Sequence, residues 1–71
     1  MGKRPRATRF NPQRLIALRR RTGLSLREFG AKIRRTKAMV QQMECGRAQP
    51  STETLTRIAE TFGVDVKEFF I

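Results

Sequence analysis

Residues 25–45 read SLREFGAKIRRTKAMVQQMEC. Ser25 followed three residues later by Glu28 has the spacing of a capping box, and Leu24 and Phe29 flank it as a hydrophobic staple. Leu26, Phe29, Gly30 and Ile33 then share one face at helical spacing. This predicts a short helix over about 26–33. Arg34-Arg35 leaves only a very short turn before Thr36, the cap of a following helix that runs over about 37–45 and stops at Gly46. Two helices on so short a connection cross at roughly 90–120°.

The same punctuation continues outward. Asn11-Pro12 is an N-cap with proline at the first helical position, with Phe10 and Leu15 stapled across it. Leu15 and Leu18 mark the inward stripe, and Gly23 sits where a left-handed C-terminal cap belongs, so a first helix spans about 12–22. Ser51 caps a fourth helix, whose Leu55, Ile58, Ala59 and Phe62 recur at i, i+3, i+4, i+7 before Gly63. Asp65 and Glu68 have the spacing of a second capping box, with Val64 and Phe69 stapled across a helical stub at 66–71. No strand alternation and no internal repeat occur. The expected fold is all-α: a compact five-helix domain over 10–71, with residues 1–9 as a mobile basic arm.

Seventy-one residues make at most one small domain. There is no His and only one Cys, which excludes a disulfide-stapled scaffold and a zinc finger; no metal or cofactor is expected. No apolar run of ~18 residues or signal-peptide pattern occurs, so a cytoplasmic protein without a membrane span is expected. The charge is +10 overall and unevenly placed. Residues 1–37 hold thirteen basic side chains against one acidic, Glu28, whereas residues 38–71 hold three against five. Such a surplus destabilises a small fold by self-repulsion unless a polyanion relieves it.

At ~100° per residue, Val40 and Met43 of the third helix point inward. Ala38, Gln41, Gln42 and Cys45 point the other way, with Lys37 on the flank. That outer face is small, amide-rich and free of carboxylates. Gln pairs bidentately with adenine, Lys with guanine, and Ala touches the thymine methyl. Met39 is read as core packing, with a sugar or thymine methyl as its alternative contact. Catalysis is not expected, because Glu28, Asp65 and Glu68 are accounted for as helix caps and neither His nor a glycine-rich phosphate loop is present. Cys45 is read as a small surface residue rather than a redox switch.

Leu24-Ser25, Glu28-Phe29-Gly30, Lys32-Ile33, Thr36, Val40, Met43-Glu44, Gly46, Pro50-Ser51, Thr54-Leu55, Ile58-Ala59 and Gly63-Val64 together resemble the Cro and phage-repressor helix-turn-helix family, also called the xenobiotic response element family. The resemblance spans about 12–70. It implies a lambda-repressor-like DNA-binding domain that inserts its third helix in the major groove, commonly as a homodimer on a palindromic operator. It implies transcriptional regulation, chiefly repression. Thr36, Lys37, Ala38, Gln41 and Gln42 fall on its base-facing positions, and Arg47 on its phosphate-contacting loop. The arm residues Lys3, Arg4 and Arg6, with Arg9, resemble arms that grip DNA beyond the main groove. Arg19 and Glu44 match a pair that commonly joins helices 1 and 3.

Three positions depart from the pattern. Leu26 replaces a frequent phosphate-binding Gln and reads as packing. Arg34-Arg35 replaces Gly and an apolar residue, which suits phosphate contacts. Met39 is larger than the usual residue. Phe70 and Ile71 lack an obvious inward place, and the family often dimerises through its fifth helix, so both are assigned to a dimer interface, with cover for the domain's own core as the alternative. The competing readings are an antitoxin-like or other protein-interaction module, for which no extra partner segment is visible, and a membrane-active cationic peptide, against which the helix caps argue.

Overall fold

The computed structural model describes residues 9–70. Four α-helices run in order: α1 (Pro12–Thr22), α2 (Leu26–Lys32), α3 (Lys37–Glu44) and α4 (Thr52–Phe62), followed by a 3-10 helix (Val66–Phe70). There is no strand among the described residues. The expected arm, apart from Arg9, and Ile71 lie outside them.

Each α-helix starts at a side chain that accepts an otherwise unpaired amide proton. Asn11 accepts from Gln13 N, Thr36 from Met39 N, and Ser51 from Thr54 N. At Ser25 the capping box is complete: Glu28 N donates to Ser25 Oγ at 3.1 Å, and Ser25 N donates to Glu28 Oε1 at 2.8 Å. Backbone donation to its carboxylate holds Glu28 below the usual range for a glutamate. Gly23 ends α1 in the left-handed region at φ +75°, its amide donating to the carbonyls of Arg19 and Arg20.

The expected fifth α-helix is instead the 3-10 segment, which leaves four α-helices among the described residues. The second capping box does not form. Glu68 N donates to the backbone carbonyl of Asp65 at 3.0 Å, and Asp65 Oδ1 accepts from Lys67 N. Such i+3 bonding is usual for pieces of a few residues. The segment is also tied to the start of α1, because Asn11 N donates to the carbonyl of Phe69 at 2.7 Å.

One hydrophobic core draws on every element: Leu15 and Leu18 of α1, Phe29 and Ile33 around α2, Val40 and Met43 of α3, Leu55, Ile58 and Ala59 of α4, with Phe10 and Phe69 closing the ends. Phe29 stacks on Phe62, ring centroids 4.7 Å apart. Leu26 packs against this core as its place on the wheel predicts. Phe70 does so too, half-buried, so it has the inward place that the short stub did not promise. Met39, expected inside, is 40% exposed. Its position on the wheel lies between the buried stripe and the outer face, and neighbouring Val40 and Met43 fill the core without it.

The α2–α3 turn is drawn tightly onto α2. Arg35 N donates to the carbonyl of Gly30 at 2.8 Å. A Cβ on Gly30 would lie 2.5 Å from the carbonyl oxygen of Arg35 and 3.2 Å from Thr36 C and O. The missing side chain is therefore what lets the chain reverse here. Arg34 takes the left-handed conformation, φ +58°, which costs a non-glycine residue ~1 kcal/mol.

Candidate nucleic-acid interface

α3 presents the residues that the wheel selects. Lys37, Ala38, Gln41 and Cys45 are exposed, as are Met39 and the cap residue Thr36, and Gln42 is half-buried. Arg34 stands exposed on the turn before α3, Arg47 is exposed in the loop after it, and Arg9 is exposed ahead of α1. Lys3, Arg4 and Arg6 lie outside the described residues.

Glu44 is the one carboxylate of α3, and it is withdrawn from the outer face. Arg19 Nε donates to Glu44 Oε2 at 2.7 Å and Arg19 Nη2 to Oε1 at 3.0 Å, a bidentate pair between α1 and α3. The two side chains are 20% and 10% exposed. Hydrogen bonding to Glu44 raises the guanidinium above the ordinary arginine value, so it stays charged. The remaining terminal nitrogen donates to the carbonyl of Leu24 at 3.2 Å, which ties the α1–α2 loop to the same pair. With Glu44 neutralised, α3 offers one cation and two amides outward, between arginines on the flanking turn and loop. Such a surface attracts a polyanion and has the donors to read base edges.

Two arginines behave in ways that sequence patterning did not foresee. Arg35 Nη2 donates to Thr54 Oγ1 at 3.0 Å, and Arg35 Nη1 donates to the carbonyl of Arg34 at 3.0 Å. Arg57 of α4 donates from Nη1 to the carbonyl of Ile33 at 3.2 Å and from Nη2 to Glu53 at 3.1 Å. The i, i+4 spacing of Glu53 and Arg57 signals their pair. The reach from α4 to the turn has no local signal, because it joins residues nineteen and twenty-four positions apart.

No described helix is long and apolar enough to cross a membrane. No cluster of three or more His, Cys, Asp or Glu side chains is placed to hold a metal among the described residues.

A helix ending in a glycine-backed turn, followed at once by a second helix bearing a cation and amides, defines a helix-turn-helix module. A family model described as a helix-turn-helix domain matches residues 13–69, and the chain belongs to that family, in its Cro-like, xenobiotic response element class. A search of curated proteins returns no significant match. The helix-turn-helix domain is typically a non-enzymatic DNA-binding module.

Proposed function

We propose that this chain is a sequence-specific DNA-binding transcriptional regulator that lays α3 in the major groove. Thr36, Lys37, Ala38, Gln41 and Gln42 meet base edges. Arg9, Arg34 and Arg47 meet phosphates, and the arm residues Lys3, Arg4 and Arg6 extend that grip. Two copies bind a palindromic operator as a homodimer, with Ile71 and the part of Phe70 that its own core leaves uncovered near the two-fold axis and the recognition helices about one DNA turn, ~34 Å, apart. Occupying an operator is the action this surface accounts for, so the mode proposed is repression by a bacterial or phage repressor acting in the cytoplasm, with no catalysis and no cofactor.

The observation that carries this reading is the outer face of α3. Its only carboxylate is bound back to Arg19, and what remains outward is, apart from Met39, cationic, amide or small. Salt titration of binding to duplex DNA tests the reading. About six to eight phosphate contacts per dimer give a slope of log K against log salt near −5 to −7. Deleting residues 1–9 flattens the slope. A slope near zero for the intact chain would sink the proposal.

A further inference from the structure

Arg35 is one of two adjacent arginines in the turn, yet the two are held differently. Arg34 is exposed. Arg35 is half-buried, with both terminal nitrogens committed inside the chain. Its acceptor on α4, Thr54, is 4% exposed and is the one buried polar or charged residue among the described residues. Thr54 Oγ1 also accepts from Ser51 Oγ at 3.1 Å, and Ser51 Oγ accepts from Thr54 N. Arg35 is thereby joined to the cap of α4. A cation there sits at the unfavourable end of the helix dipole, so hydrogen-bond geometry and not net charge holds it. Arg57 makes the return connection from α4 to the carbonyl of Ile33, one residue before Arg34. Two residues separate Arg34 from the start of α3 at Lys37.

We propose that Arg35 is a positioning residue: through Thr54 it pins the α2–α3 turn to the first turn of α4 and so sets the angle at which α3 meets DNA. The inference rests on the DNA-binding reading above and makes Arg35 a brace in place of the phosphate contact that its sequence position suggests. A phosphate-binding arginine and a brace respond differently to the same variants. Removing an arginine that binds phosphate weakens every sequence and lowers the salt slope by about 0.9 for each phosphate no longer neutralised. Removing a brace tilts α3, which costs base discrimination and leaves backbone attraction in place.

The test uses the full chain as wild type, Arg35→Met, Thr54→Val, the double variant and Thr54→Ser. The probes are the tightest duplex selected from a random pool and a scrambled version of that duplex. Each single variant is expected to bind the selected duplex about five- to tenfold more weakly, the factor that one net hydrogen bond sets. The double variant is expected to be no worse than either single. Affinity for the scrambled duplex and the salt slope stay at wild-type values, and Thr54→Ser, which keeps the hydroxyl, binds like the wild type. If Arg35→Met weakens both duplexes equally and lowers the slope while Thr54→Val binds normally, the proposal is overturned. If the wild type binds neither duplex, the DNA reading itself fails. Urea midpoints of the same variants then decide on the brace: non-additive effects support it, and additive ones overturn it.

Discussion

Replacing Gly30 by alanine should destabilise this chain, although alanine is the better helix former by about 1 kcal/mol. The new Cβ would stand 2.5 Å from the carbonyl oxygen of Arg35, where ordinary van der Waals separation begins only at 3.4 Å. The turn must therefore retreat by about 0.9 Å, and what must move is backbone. That backbone is held from three sides: by the bond from Arg35 N to Gly30 O, by Arg35 on Thr54, and by Arg57 on Ile33. Overpacking of a well-filled site costs ~1–3 kcal/mol, and so rigid a neighbour puts the cost in the upper part of that range. Subtracting the propensity gain leaves a net destabilisation of about 1–2 kcal/mol. In a domain of this size that lowers Tm by roughly 7–13 °C. Far-UV circular dichroism during heating reads it directly. Ala31→Gly, on the exposed side of the same helix, provides the comparison: it removes propensity alone and costs ~1 kcal/mol. A Gly30→Ala protein with an unchanged or higher Tm would refute the idea that the glycine is there for the close approach of the turn.

Two further perturbations probe the supports of α3 and α2. Glu44→Ala leaves Arg19 charged and largely buried, and is expected to cost ~2–3 kcal/mol, somewhat less than a fully buried pair. An Arg19/Glu44 double-mutant cycle should return a coupling above ~1 kcal/mol, and a value below ~0.5 would put the pair among ordinary surface contacts. Glu28 has its pKa lowered by donation from the Ser25 amide. Its contribution is therefore present above the unfolded glutamate value of ~4.3 and is lost as pH falls through the folded value. Glu28→Gln keeps the acceptor but cannot titrate, so its Tm should fall less steeply than that of the wild type on acidification below about pH 4.5. Parallel profiles would remove Glu28 from the acid response.

Much of the fold was legible because its helix boundaries are written locally. Asn11, Ser25, Thr36 and Ser51 each cap the helix they precede, and Gly23 and Gly63 end α1 and α4 in left-handed conformations. Leu55, Ile58 and Ala59 face the core as their spacing requires. The errors fall where local rules are balanced. Asp65 and Glu68 fit the spacing of a capping box, but the short segment bonds i to i+3 and its end is held by Asn11, a residue more than fifty positions away. Met39 sits at the edge of the inward stripe, so packing by its neighbours decides its exposure. The outer face of α3 was readable from the helical period, and the Arg19–Glu44 pairing from family resemblance. Arg35 and Arg57 were not readable, because a basic residue in a turn carries the same sequence signal whether it points to solvent or to a distant carbonyl.

The central claim is that α3 reads bases. Selection from a random duplex pool, run in parallel with wild type, Lys37→Ala and Gln42→Ala, tests it most directly. The wild type should enrich one motif, with two-fold symmetry if it binds as a dimer. Each variant should bind that motif ~1–3 kcal/mol more weakly and lose preference at a base position of its own, while Arg9→Ala weakens all sequences alike. Enrichment of no motif by the wild type, or of an unchanged motif with full discrimination by both α3 variants, would contradict the account.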